Sequence, residues 1–318
     1  MSDDRGEGRL REAAERYRQW GRWGEDDQVG TVNLVTPKAI VAAAGLVRRG
    51  KVFSLALPFD QSGPQKGYLR RFNPMLFMLR DGDDAVARDM LGVPRGMGAA
   101  DDVVIMATQG GTQWDALGHM FYDGKMWNGY DATLVSSLGA EKNDVAQYRD
   151  RIVGRAVLLD IPRFLGKPWC EPGRATSGEE LDACAIAQGV EIRPGDFVLI
   201  RFGQIAQCRE AGSWGDYAGG DAPGLAFDTL EWIRAHDIAG LATDTWGAEV
   251  RPNEIAYVAQ PWHRVALPSM GLLVGEMFDL DELAADSAED RVYESFFVAC
   301  PLPITGAVGS PVNPIAIK

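Results

Sequence analysis

The chain of 318 residues is 46% hydrophobic and 24% charged, a composition typical of a globular protein that buries a core without disulfide bonds. Its formal net charge of −13 repels phosphate, so neither nucleic acid nor a membrane surface is an expected partner. The first residues lack the apolar core of a signal peptide, no run of 18 apolar residues is present, and the four cysteines are widely scattered. We therefore expect a cytoplasmic protein with reduced thiols and no membrane-spanning segment.

The first part of the chain, about 1–50, predicts a helical segment. Apolar residues recur at helical spacing over about 8–22, which predicts a first helix. A second helix is predicted to begin after Thr36, with Pro37 in its first turn, and to end before Gly50.

A long stretch at about 61–101 is rich in Gly, Met, Arg and Asp. Its apolar side chains cluster at Phe72, Met75, Phe77 and Met78. Loops of this length are usually functional or packed on a partner, so we interpret it as a lid or a subunit-contact arm, with a peripheral hairpin as the alternative. The apolar cluster predicts a homodimer or homotetramer.

Apolar runs that predict strands alternate with segments that predict helices along the rest of the chain. The strands are predicted at 52–57, 103–107, 156–160, 197–201, 238–243 and 296–300. The helices are predicted at 177–188, 225–236 and 279–288. No repeat of fixed period and no linker divides the chain, so the sequence predicts an α/β fold in a single domain over 1–318.

The most informative segment runs from Gln109 to His119 (QGGTQWDALGH), directly after the predicted strand at 103–107. Its two glycines let the backbone turn sharply, and its polar side chains could converge on one point. A loop at the end of a buried strand is where α/β proteins usually place reacting groups. The alternative is a glycine-rich turn in which Asp115 and His119 only satisfy local backbone groups.

This segment resembles the pattern HxGTHxDxPxH of the cyclase and kynurenine formamidase-like family of metal-dependent hydrolases, with Gly111, Thr112, Asp115 and His119 in register. The resemblance also covers segments 23–33, 194–196, 239–249, 275–276 and 301–306, together with His263. It implies a mixed sheet with a swivelling β/β/α-like core. It also implies an enzyme that hydrolyses or cyclises a carbonyl-containing small molecule with the help of a divalent metal.

The sequence departs from the family pattern at three positions. Gln109 and Gln113 stand where the family has metal-binding histidines, and Leu117 stands where it has proline. An amide oxygen is a harder and weaker ligand than imidazole, which favours Mn or Mg, or a weakly held Zn. A site that binds no metal is the alternative.

The resemblance implies the ligands of such a metal. Asp115 would be the anchoring carboxylate and Glu276 the second, with Gln109 and Gln113 as further ligands. It also assigns two catalytic histidines. His119 matches the residue that the family uses for acid–base chemistry, which suits an imidazole near neutral pH.

His263 matches a family histidine near the same site, with simple packing as the alternative role. His236 ends a predicted helix, and we interpret it as a charge partner of the helix C-terminus and not as a catalytic residue. Asp244 either supports the site residues without binding the metal itself or caps a turn.

Three tryptophans, Trp114, Trp127 and Trp246, are predicted to line the pocket for a flat substrate, with core packing as the alternative.

Three hypotheses for function follow. The first is a metal-dependent hydrolase or cyclase that acts on an amide, lactam or ester of a small molecule. The second is a metal-independent cyclase, dehydratase or isomerase in which Asp115 and His119 act as an acid–base pair. The third is a non-catalytic homologue that only binds a small molecule.

Overall fold

The computed structural model describes residues 4–87 and 98–318. Its strands are β1 (Val52–Ser54), β2 (Met75–Arg80), β3 (Asp101–Ile105), β4 (Gln113–Asp115), β5 (Val135–Ser136), β6 (Gly139–Ala140), β7 (Val153–Asp160), β8 (Ala175–Thr176), β9 (Phe197–Arg201), β10 (Gly224–Leu225), β11 (Gly240–Thr243), β12 (Leu273–Glu276), β13 (Glu294–Val298), β14 (Gly309–Pro311) and β15 (Ile315–Ile317). Its α-helices are α1 (Asp4–Arg16), α2 (Pro37–Ala44), α3 (Gly82–Ala87), α4 (Ile161–Phe164), α5 (Gly178–Gln188), α6 (Gln204–Ala211), α7 (Thr229–His236), α8 (His263–Ala266) and α9 (Asp281–Asp290). Within these two ranges no helix has the length and apolar character needed to cross a bilayer.

Nine strands form one mixed sheet in the order β1-β15-β13-β7-β9-β11-β12-β4-β14. The central strands β7, β9, β11 and β12 run parallel. Helices join each of these strands to the next, as parallel pairing requires. The strands on both sides pair antiparallel. The α/β fold with a mixed sheet that the sequence predicts is confirmed.

Both faces of the central sheet are buried, which explains why its strands are continuous apolar runs. On one face, Val198 and Ile200 of β9 pack in the core that includes residues of α1, α5, α7 and α8. On the other face, Phe197 and Leu199 of the same strand pack with residues of α9 and of β13. The candidate site described below lies on the first face.

Helices α2 and α5 begin at the capping residues that the sequence predicts. Ser177 and Glu180 form the reciprocal capping box at the start of α5, and Gly189 ends that helix in the left-handed conformation (φ 70°). Thr36 caps α2 by accepting a hydrogen bond from the Ala39 N–H.

The two N-terminal helices end earlier than the sequence predicts. The first ends at Arg16, because the next residues bond to the segment after α8. The Gln19 N–H donates to the Ser269 carbonyl, and the Trp20 indole donates to the Pro268 carbonyl. The second ends at Ala44, and Gly45 caps it.

The predicted buried strand at 103–107 is wrong in its location. The strand there, β3, pairs antiparallel with β2, and every residue of both strands is exposed. This hairpin lies outside the main sheet, so the peripheral-hairpin alternative describes 75–80 and 101–105. Residues 88–97 of the predicted arm lie outside the described residues.

Candidate metal centre

The candidate site is built from three elements that are distant in sequence. Strand β4 lies between β12 and β14, and its alternation directs Gln113 and Asp115 to one face and Trp114 to the other. Glu276 of β12 stands opposite Gln113, so its side chain lies on the same face. Helix α8 packs over this face and begins with His263.

Asp115, His263 and Glu276 form a compact buried cluster. Each offers one ligand atom, and these atoms lie within 4.8 Å of one another. The His263 Nε2 is 3.2 Å from the Glu276 Oε1. Two carboxylates and an imidazole held together away from water form a donor set that suits a divalent cation.

Glu249 fixes the orientation of the His263 ring. Its Oε1 lies 2.5 Å from the His263 Nδ1 and accepts the backbone N–H of the same residue. The Nδ1–H therefore points to Glu249 and leaves Nε2 facing the cluster, an arrangement common behind metal-binding histidines. Burial alone would lower the pKa of His263, but hydrogen bonds to Glu249 and Glu276 raise it to about 10.

Gln113 bridges the two carboxylates. Its Nε2 donates to the Glu276 Oε2 at 2.8 Å and lies 3.3 Å from the Asp115 Oδ1. Its Oε1 is buried without a hydrogen-bond partner. Rotation of the amide by half a turn would direct this oxygen to the cluster as a further ligand.

The electrostatics of the cluster also fit a cation. Burial raises the pKa of Asp115 to about 8, and the Glu276 charge acts in the same direction, whereas Arg71 and His263 oppose it. Two buried carboxylates this close repel each other, and a divalent cation removes that repulsion. Asp115, His263 and Glu276 are therefore the residues that would hold a metal here, with the Gln113 oxygen beside them.

Gln109 lies at the edge of this group. Gly309 stands opposite Asp115 in β14, and a Cβ atom at position 309 would come within 2.4 Å of the Gln109 Nε2. The Gln109 Oε1 accepts a hydrogen bond from Thr108, and its Nε2 has no partner. Among the described residues Gln109 makes no hydrogen bond to the three clustered ligands, so its role as a ligand remains a prediction.

His119 is the basic group beside the cluster. Its Nε2 lies 3.9 Å from the Asp115 Oδ1, and its side chain is 20% exposed, so protons can reach it from solvent. Burial lowers the pKa of His119 to about 3, and the charges of Arg71 and His263 act in the same direction. The ring is therefore neutral at pH 7 and can accept a proton.

Two of the predicted pocket tryptophans belong to the core instead. Trp114 is fully buried, donates its indole N–H to the Ala299 carbonyl and packs edge-on against Phe278. It points away from the site because it alternates with Gln113 and Asp115 along β4.

Trp127 is also fully buried, and its indole N–H donates to the Asp27 Oδ2.

Trp246, in contrast, lies next to the candidate centre. Its indole N–H faces the Gln65 Oε1, and the Arg71 guanidinium covers its ring at 4.9 Å from the ring centroid. A Cβ atom on the following residue, Gly247, would lie 3.9 Å from the Glu276 Oε1. Sequence reasoning missed Arg71 because it lies in the stretch interpreted as an arm.

Asp244 and His236 have local structural roles. The Asp244 carboxylate accepts the backbone N–H groups of Phe202 and Gly203, so it caps a turn. The His236 Nδ1 lies 2.9 Å from the Trp232 carbonyl at the end of α7.

Comparison with known proteins agrees with this architecture. Residues 51–250 match the model of the Cyclase family. A solved structure described as a novel cyclase is 38% identical and superposes with a TM-score of 0.86, covering 96% of this chain and 99% of its own. No curated protein matches the sequence.

More distant structures share the fold. Isatin hydrolase A from Ralstonia solanacearum is 19% identical with a TM-score of 0.62, covering 89% of this chain and 98% of its own. A predicted metal-dependent hydrolase from Bacillus stearothermophilus is 19% identical with a TM-score of 0.51, covering 85% and 98%. The family match and the close structural relative together identify this chain as a member of the cyclase family, an enzyme of the hydrolase or cyclase type.

Proposed function

We propose that the protein is a divalent-metal-dependent hydrolase or cyclase that acts on an amide, lactam or ester carbonyl of a small molecule. The observation that carries this proposal is the buried cluster of Asp115, His263 and Glu276 beside the neutral His119. The shared fold with isatin hydrolase and with metal-dependent hydrolases supports it.

The donor set favours a cation that accepts oxygen ligands. Asp115 and Glu276 supply carboxylates and His263 supplies the single imidazole. Mn or Mg, or a weakly held Zn, suits such a set better than a tightly bound structural zinc does. When bound, the cation would polarise the substrate carbonyl.

The protein's own contribution is a proton transfer at His119. Water adds to the carbonyl carbon, and its proton passes to the His119 Nε2. The bond from the carbonyl carbon to the leaving nitrogen or oxygen then breaks, and the same proton returns to the leaving atom. Because the His119 ring is neutral at pH 7, one of its nitrogens is free to accept this proton.

The metal is tested by elemental analysis of the wild type and of Asp115→Asn and Glu276→Gln. Asp150→Asn is the matched control, because its carboxylate is exposed and is not one of the clustered ligands. We expect about one equivalent of metal in the wild type and the control and a strong loss in both site variants, each checked for folding by circular dichroism. Zinc bound in equal stoichiometry by all four proteins would contradict the proposal.

The reaction is tested with isatin and with aryl formamides, the latter probing amide hydrolysis of the kynurenine formamidase type. We expect hydrolysis that a chelator abolishes and that His119→Ala reduces by on the order of a hundredfold or more, as expected for loss of a general base. Full activity of His119→Ala would contradict the role of His119.

A metal-independent acid–base enzyme is the second candidate. It is favoured by Gln113, whose amide donates to Asp115 and Glu276, and by the positive charge of His263. The hydrogen bonds of Gln113 and the charge of His263 stabilise the carboxylates without any metal ion. Activity that survives complete removal of metal but is lost in His119→Ala would select this candidate.

A further inference from the structure

Two arginines and two aromatic rings form a cluster beside the candidate centre. The guanidinium carbons of Arg71 and Arg251 lie 4.9 and 5.9 Å from the ring centroid of Trp246. Arg251 also lies 5.4 Å from the ring of Tyr68, which itself packs against Trp246 at 5.4 Å between centroids. Trp246 is thus buried, and both guanidinium groups lie within 5.9 Å of its ring centroid.

Neither guanidinium has an anionic partner in the part of the chain that the structure describes. No carboxylate oxygen lies within 4.0 Å of Arg71 or Arg251, and neither side chain donates a hydrogen bond there. By contrast, the sheltered Arg155 and Arg201 each hold two carboxylates. In a protein with a net charge of −13, two partly buried arginines without an acidic partner mark a place for an anion from outside.

The backbone that carries this cluster is strained immediately before Arg71. Leu69 and Arg70 both adopt the left-handed conformation (φ 53° and 61°) immediately before Arg71. Non-glycine residues rarely adopt this region, and such strain is typical of functional sites. Gly219 makes room for the Tyr68 ring, since a Cβ atom there would come within 2.6 Å of it.

One loop connects the cluster to the candidate metal centre. After β11 the chain carries Trp246, Gly247 beside Glu276, Glu249 on His263, and then Arg251. Because Gly247 lies beside Glu276, the two guanidinium groups at the Trp246 ring lie at the edge of the site.

We propose that Arg71 and Arg251 bind a carboxylate carried by the substrate, whose flat conjugated part packs against Tyr68. The planar guanidinium matches a carboxylate with paired hydrogen bonds, and stacking on Trp246 fixes its orientation. The substrate class is thus an aromatic or conjugated acid that also carries the carbonyl to be attacked. That second part rests on the proposed function, whereas the binding of a carboxylate does not.

The binding test compares benzoate with benzamide, which has the same shape but no charge. Calorimetric titration of the metal-loaded wild type should show a preference for benzoate on the order of tenfold or more. Arg71→Gln and Arg251→Gln should each reduce this preference to about twofold or less, and Arg71→Lys should keep part of it. Arg70→Gln is the matched control, because Arg70 is the exposed neighbour with the same charge and should leave the preference unchanged.

Two outcomes would overturn the proposal. Benzamide could bind the wild type as tightly as benzoate, or the preference could survive in Arg71→Gln, which would place the carboxylate elsewhere, including at the metal. Because this readout needs no turnover, it separates the anion site from the reaction. A protein that shows the preference but hydrolyses no probe would contradict the proposed function alone.

A kinetic test distinguishes a carboxylate of the substrate from one released by hydrolysis. We expect Arg71→Gln to raise KM for 2-formamidobenzoate on the order of tenfold while leaving KM for formanilide unchanged. If Arg71→Gln leaves both KM values unchanged and weakens only inhibition by formate, the acid formed in the reaction, then Arg71 binds the carboxylate of the product and the proposal is wrong.

Discussion

Gln113 contacts two of the three residues that would hold a metal at the candidate centre. Its amide nitrogen faces Asp115 and Glu276, and its oxygen is buried without a partner. An amide can present either end to this position after rotation, so the same side chain suits a metal-free and a metal-bound cluster. Imidazole, by contrast, binds a borderline cation far better than an amide.

Gln113→His should therefore raise zinc affinity at this site by on the order of a hundredfold, because a second imidazole joins His263. Competition with a chromophoric chelator measures the change. Gln109→His is the informative comparison, since Gln109 makes no hydrogen bond to the cluster and should change the affinity less. The double variant should bind zinc at least as tightly as Gln113→His. If Gln113→His binds zinc no better than the wild type, position 113 does not face a metal site.

The site residues differ in how far the sequence could predict them. Asp115, His263 and Glu276 occupy positions that match a known family, so their identities could be assigned from the chain alone. Their proximity could not, because it depends on antiparallel pairing between β12 and β4 across more than 150 residues. Glu249 and Arg71 were not assigned, since nothing local distinguishes an acid after a strand or an arginine in a loop.

Secondary structure elements show the same division between local and long-range information. Helix α5 and strand β9 were predicted almost to the residue, because the capping box and a continuous apolar run are local signals. Strand β3 has a similar apolar run but lies in an exposed hairpin. Strand β4 was missed, since three residues carry no periodicity and its place in the sheet is set by its neighbours.

Close packing between β12 and β4 makes a specific glycine necessary. A Cβ atom at Gly275 would lie 2.7 to 2.8 Å from Trp114, Ala242 and Phe278. Gly275→Ala should therefore lower the free energy of unfolding by about 1 to 3 kcal/mol and reduce metal occupancy through the displaced Glu276. Gly8→Ala is the control, because no atom lies within 4 Å of its Cβ position in α1 and alanine favours a helix there. Chemical denaturation measures both, and equal stability of the two variants would contradict the packing argument.

For the whole molecule, a buried charge network ties the edge of the sheet to α9. Asp286 forms ion pairs with Arg49, with Lys51 at 2.6 Å and with the buried Lys318 at 2.9 Å. Burial alone would raise the pKa of Asp286, but hydrogen bonds from these cations lower it below its usual value. The carboxylate therefore stabilises the fold above the pKa of the unfolded chain, about 3.9, and this contribution is lost as the pH falls towards the lower folded value.

Asp286→Asn should lower the free energy of unfolding by about 3 kcal/mol at pH 7, because Lys318 then keeps a buried charge with one partner fewer. The difference from the wild type should shrink below about pH 4, where the Asp286 carboxylate of the unfolded wild-type chain begins to take up a proton. Urea denaturation at several pH values measures this. A difference that does not depend on pH would contradict the electrostatic origin.

The hairpin β2–β3 is the surface on which assembly would depend. Apolar side chains are exposed on both of its strands: Met75, Leu76, Phe77, Met78, Leu79, Val103, Val104 and Ile105. A two-stranded hairpin is marginally stable alone, and an apolar surface of this kind usually packs against a partner. We propose that the partner is a second copy of this chain.

Light scattering at micromolar concentration should then give the mass of a homodimer or homotetramer. Phe77→Glu should shift the mass towards the monomer, because a charge buried in an apolar contact is costly. Leu138→Glu is the matched control, since Leu138 is an apolar residue that is 97% exposed outside the hairpin, and it should leave the mass unchanged. A monomeric wild type, or equal effects of the two substitutions, would show that the hairpin does not join copies of the chain.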